Sequence, residues 1–195
     1  MNQAEMFCSE RAKGASIGAT IVGGFGAAWL AMGMTSAGAP VAIALSVVLP
    51  VFALIACLGS TVRHRLPKFA GPETPEKKQK MRAFHMVNIA QWVAIFGTVN
   101  LLRNLHLNAW VIPSIVMIVG AHFLPLARIF QAPQHRTTGI AMMVLAGLAI
   151  VLPVSLRDTV ECLSAGLILW VSAAGALYAA FRMAPRSTLA PQSGL

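Results

Sequence analysis

The sequence predicts an all-α fold: a polytopic transmembrane bundle of six helices in a single domain over residues 1–195, with both termini cytoplasmic. Three observations predict it. First, 57% of the residues are hydrophobic and only 11% charged, with a mean hydropathy of +0.71, which leaves too little polar surface to cover a soluble domain. Second, the apolar residues fall in runs of about 20, enough at about 1.5 Å per residue to cross a hydrocarbon core of about 30 Å. Third, seven basic residues (Arg63, Arg65, Lys68, Lys77, Lys78, Lys80 and Arg82) crowd into the loop 61–83 between two such runs. Lys and Arg beside membrane spans are retained on the cytoplasmic side, so this loop sets the orientation of the whole chain.

Residues 1–14 are polar, and 15–34 form span one, free of charge throughout. Its length exceeds the apolar core of a signal peptide, although Ala37-Gly38-Ala39 resembles a cleavage site. We read span one as retained, with cleavage as the alternative. Gly14 and Gly18, and Ala19 and Gly23, stand four apart on it, a spacing that lets helix backbones approach closely in lipid. Such Gly/Ala-rich faces suit packing inside the bundle, and would also suit a homo-oligomer. Span two, 39–60, carries Pro50 near its middle, where a missing N–H kinks the helix.

The loop 61–83 turns at Gly71-Pro72-Glu73-Thr74-Pro75 and leads into Lys77, Lys78, Lys80 and Arg82, candidates for contact with anionic lipid head groups. Spans three (84–102) and four (108–127) are joined by so short a connection that they form an antiparallel hairpin. The chain returns through the cytoplasm at 128–137, crosses as span five (138–156), turns outside at Arg157-Asp158-Thr159, and crosses as span six (160–181). The tail 183–195, rich in Pro and Ser, is expected to be disordered. With both termini inside, thirteen basic residues lie on the cytoplasmic side and only Arg103 and Arg157 outside. This asymmetry favours six spans over five and sets both termini on the cytoplasmic side.

The net charge of +9 does not signal nucleic-acid binding, because the cations flank apolar runs rather than forming a surface stripe. Cys8, Cys57 and Cys162 have neither metal-ligand nor redox spacing, and no motif of hydrolytic, nucleotide-binding or haem-attachment chemistry is present. No catalytic residue, metal site or cofactor is assigned.

The informative polar residues lie inside spans three and four. His85, Asn88 and Gln91 recur every three residues near the cytoplasmic half of span three, and Gln91 shares a face with Thr98. Folding the hairpin about His106 brings His122 to the depth of Ala90 and Gln91. Asn88, Gln91 and His122 therefore form a candidate intramembrane cluster, expected to hydrogen-bond across the two helices because hydrocarbon offers polar groups no partners. Two readings stand. The cluster holds the hairpin in register, or it lines a polar pocket in which a neutral His122 exchanges protons. Glu161 is the only acidic residue within an expected span, and its place one turn from the outer surface, beside Arg157 and Asp158, predicts a solvated helix terminus.

Asn88-Ile89-Ala90-Gln91-Trp92, then Val111-Ile112-Pro113 and Val119-Gly120-Ala121-His122-Phe123-Leu124-Pro125-Leu126-Ala127, resemble a group of small uncharacterised bacterial multi-pass membrane proteins. The resemblance covers about a quarter of the chain. It implies a bacterial cytoplasmic-membrane protein with His-Phe-Leu-Pro-Leu-Ala as a signature, and carries over no catalytic residue. The function expected from the sequence is transport-like or membrane-structural. The alternative is a membrane-embedded enzyme or cofactor-binding protein using His122.

Overall fold

The computed structural model describes residues 3–66 and 74–184, with side chains from Phe7 onward. Among these the chain is helical with no strand: α1 (Gln3–Ser36), α2 (Val41–Arg65), α3 (Pro75–Asn104), a 3-10 turn (Asn108–Trp110), α4 (Val111–Ile129), α5 (Pro133–Leu148) and α6 (Val154–Met183). Five segments are long and apolar enough to cross a membrane: Phe7–Ser36, Val41–Arg65, Pro75–Asn104, Asn108–Ile129 and Val154–Met183.

The helices outrun their apolar cores because their ends carry their own stop and start signals. Thr74 caps α3 by accepting a hydrogen bond from the Lys77 backbone N–H at 3.3 Å, Pro75 occupies the first turn, and Glu76 faces the positive end of the helix dipole. At the other side of the same loop, Arg63, His64 and Arg65 occupy the last turn of α2, where cations are favoured. The expected loop 61–83 is thus helical on both flanks, and its centre, 67–73, lies outside the described residues, as does the tail from residue 185.

The fifth helix departs most from expectation. Residues 138–156 were the expected span, whereas α5 starts five residues earlier at Pro133 and ends at Leu148. Pro133 suits a helix start, and Pro153 forbids continuation: it has no N–H to donate, and it disfavours helical backbone at Leu152. The 16 residues of α5 extend about 24 Å. Beyond them lies an apolar turn in which Ile150 and Val151 are 72% and 78% exposed.

The pair α1 and α6 forms the spine. Their backbones approach at Gly26 and Gly166: a Cβ on Gly166 would lie 2.9 Å from the Gly26 carbonyl oxygen. Trp170 then donates its indole N–H to the Gly23 carbonyl at 3.0 Å. On α1 it is Gly23, Gly24, Gly26 and Gly33 that admit neighbours from α2 or α6, while Gly14 and Gly18 face open space. Among the described residues the Gly14–Gly18 pair therefore meets no neighbouring helix. Close packing through small residues in α1 is present, but it begins one turn further along.

α2 flanks α1 on one side, and α4 and α5 pack beside α6 on the other through a core of Trp29, Val116, Phe123, Met142, Leu145 and Leu169. α4 and α5 meet at a second glycine crossing, where a Cβ on Gly139 would stand 2.6 Å from the Gly120 carbonyl oxygen. α3 is the outlier. Among the described residues its backbone packs on α4 and on the 3-10 turn alone, an exposed side-chain ion pair reaches α1, and none of its residues is buried.

Candidate functional site

The α3–α4 hairpin brings Val87, Ala90, Gln91 and Ala94 on one wall against Ile118, His122 and Pro125 on the other. These are helical repeats of three and four residues, so each wall is one face of its helix. Between the walls is a groove of about 250 Å³ that opens sideways at the protein surface. Its lining is apolar except for Gln91 and His122. Pro125 adds a latent acceptor, because its missing N–H leaves the Ala121 carbonyl without the usual intrahelical donor.

His122 Nδ1 is buried and has no hydrogen-bond partner. The backbone carbonyl of Val87 faces the imidazole. Among the described residues no hydrogen bond joins His122 to Gln91 or to Asn88. Gln91 and His122 share the groove, whereas Asn88 is half-buried on α3 and takes no part in the lining. The depth matching about His106 is consistent with this arrangement, and His106 itself adopts a left-handed φ of 57° within the turn. His85 is exposed, with its ring 5.7 Å from that of Phe84.

A second histidine adjoins the groove that the sequence reading placed in a solvated loop. His135 sits in the first turn of α5 with its ring 5.6 Å from Phe123, the residue next to His122. Burial pushes its imidazole below the usual histidine range, and its Nδ1 also lacks a partner. The overlooked signal was Pro133, which starts a helix rather than prolonging a loop.

At the end of the bundle away from the α2–α3 loop the structure overturns one expectation. Glu161 is completely enclosed by protein, and neither carboxyl oxygen has a hydrogen-bond partner. It is no solvated terminus. The reason is the start of α6: the helix begins at Val154, not at residue 160, so Glu161 lies about 10 Å along it, two turns inside. Arg157, one turn nearer the end on the same face, is only 5% exposed. Its guanidinium donates from Nη2 to the Leu152 carbonyl at 3.1 Å and from Nη1 to the Ala109 carbonyl at 3.5 Å, and lies 4.4 Å over the Trp110 ring. Its Nε–H is buried and unpaired, and it forms no ion pair with Glu161.

At the start of α3, Lys77 pairs with Glu10 of α1 at 3.6 Å, both side chains being about half exposed. Lys78, Lys80 and Arg82 are exposed along the first turns of α3. The three cysteines are free, and among the described residues no group of three or more His, Cys, Asp or Glu side chains converges as a metal site. Comparison of the chain with protein-family models, with curated proteins and with solved structures finds no match. The five membrane-capable helices are compatible with a membrane protein in contact with lipid, and the groove must be interpreted from its own chemistry.

Proposed function

We propose that this chain is a transport-like protein of the bacterial cytoplasmic membrane, crossing it six times with both termini inside. On this reading the α3–α4 groove holds a small membrane-dissolved molecule. The observation that carries it is an apolar groove whose two polar lining residues are Gln91 on one wall and His122 on the other, the latter with a buried Nδ1 that lacks a partner. A buried polar atom without a partner is costly, and a ligand that supplies the missing hydrogen bond recovers that cost. The fitting occupant has an apolar body and one carbonyl or hydroxyl group, which the imidazole and the amide can grip together. A volume of about 250 Å³ falls just below the range of about 300–1,000 Å³ typical of small-molecule pockets, and suits a ring or a head group. α3, with no buried residue and tied beyond α4 only by the half-exposed Lys77–Glu10 pair to α1, is the least anchored helix and the one placed to move and widen the groove.

The test is native mass spectrometry on protein released directly from membranes. A co-purifying small molecule is expected with the wild type and with His122→Gln, which keeps a hydrogen-bonding group. It is expected to be lost from folded His122→Leu and Gln91→Leu. Equal occupancy in the two leucine variants and the wild type refutes the reading.

A further inference from the structure

We propose that Glu161 is a proton-binding site in the outer half of the bundle, and that its protonation decides whether Arg157 clamps the outer turns or swings inward to the carboxylate. The inference does not rest on the groove. It starts from a mismatch: a carboxyl group with no exposure and no hydrogen-bond partner lies one helical turn from a guanidinium that holds other groups and keeps a buried Nε–H unused. In an unsolvated interior a lone carboxylate is tolerated only when an opposite charge pairs with it, whereas the neutral acid needs no ion partner. The arrangement described is therefore that of the protonated acid.

The neighbours leave few other means of settling the charge. Arg157 and Asp158 are the charged groups that act on Glu161, and Asp158 is exposed and of like sign. The packed elements add nothing at this depth: α1 has no ionisable side chain beyond Lys13, and α2 has only Cys57 before Arg63. On α4 the only titratable group before Arg128 is His122, which faces the α3 groove, and on α5 only His135 and Arg136 occur, in its first turn. When the O–H bond of Glu161 breaks and the proton leaves for water at the outer face, Arg157 is the cation placed to meet the new charge. Positions 157 and 161 stand at the i, i+4 spacing that makes side chains neighbours on one helix face, and Nε–H is the free donor for the first contact.

Turning inward means letting go. The same guanidinium ties the Ala109 carbonyl in the 3-10 turn to the Leu152 carbonyl before α6, with Trp110 as its cover. Proton loss would release both turns, and proton binding would fasten them. The site is thus a proton-operated latch at the outer face.

The experiment uses the full chain in lipid nanodiscs across a pH series. Dicyclohexylcarbodiimide modifies protonated carboxyl groups in apolar surroundings, so Glu161 is expected to be labelled at low pH and to lose that labelling as pH rises. Hydrogen–deuterium exchange of 105–111 and 149–156 should accelerate over the same interval in the wild type, beyond the acceleration in Glu161→Gln, which stays latched. Carbodiimide-modified wild type supplies a second neutral form should that variant fail to fold, and it too should stay slow. An unlabelled Glu161 at every pH overturns the proposal. So does an identical pH response of the outer turns in the wild type and the neutral forms. Neither readout depends on a groove ligand, so failure here and failure of the transport reading are separable.

Discussion

Replacing Gly139 by alanine adds one methyl group where α4 and α5 cross. The new Cβ would stand 2.6 Å from the Gly120 carbonyl oxygen and 3.1 Å from Phe123 Cβ, and the first of these neighbours is backbone that cannot rotate away. The helices must separate by several tenths of an ångström along a seam that also buries Met142 and Leu145. Overpacking of this kind costs about 1–3 kcal/mol. The same helix supplies a control. Gly147 has nothing within 4 Å of its notional Cβ, so Gly147→Ala adds no clash and gains about 1 kcal/mol of helix propensity. At about 2–4 °C per kcal/mol for a chain of this size, thermal unfolding in one detergent should place Gly139→Ala several degrees below the wild type and Gly147→Ala slightly above it. If the two substitutions shift the midpoint alike, or if Gly139→Ala is neutral, the α4–α5 crossing is not where the structure puts it.

Three further outcomes are expected. The Thr138 and Ser172 hydroxyls hydrogen-bond at 2.8 Å between α5 and α6, with Thr138 free to accept there while it donates to the Gln134 carbonyl, so Thr138→Val or Ser172→Ala should each cost about 0.6 kcal/mol by chemical denaturation, and the double variant little more than either single one. His135 is held below the usual histidine range by burial, so the unfolded chain takes up a proton before the folded chain does, and stability falls as pH drops below about 6.5. That decline should be shallower in His135→Gln, measured as unfolding midpoint against pH. Reporter fusions at Pro75 and after Met183 should both behave as cytoplasmic, in keeping with the basic residues gathered beside α2 and α3; periplasmic activity at either would reverse the orientation.

The helices were legible because a span in lipid must satisfy its backbone within itself and carry an apolar exterior, and both demands show as uninterrupted apolar runs. The ends were less legible. A run of hydropathy marks where a helix is apolar, whereas the helix itself stops where its capping chemistry stops it. Thr74 and Pro75 extend α3 well ahead of its apolar part, and Pro153 cuts α5 short inside an apolar run. Glycine spacing showed the same limit. It announced close packing in α1, yet it could not say that Gly26 and Gly33 would meet α6 while Gly14 and Gly18 met nothing.

The misplaced boundary at α6 also explains why the surroundings of Glu161 were misread while the shared depth of Gln91 and His122 was not disturbed. Gln91 and His122 lie deep inside their spans, where small errors at the helix ends do not change their depth, so their convergence could be argued from hairpin register alone. Glu161 lies near an end, and starting α6 at Val154 instead of residue 160 turns a solvated first-turn carboxylate into an enclosed one. The two sites meet in one short element. Asn108–Trp110 is the connection about which α3 would swing to widen the groove, and it also holds the Ala109 carbonyl and the Trp110 ring that Arg157 grips. α4 cannot follow α3, being fixed to α5 at Gly120 and Gly139. On the two proposals together, a released Arg157 would loosen the hinge of the groove while leaving the His122 wall in place, and a proton on Glu161 would bias the ligand site through a single turn of backbone.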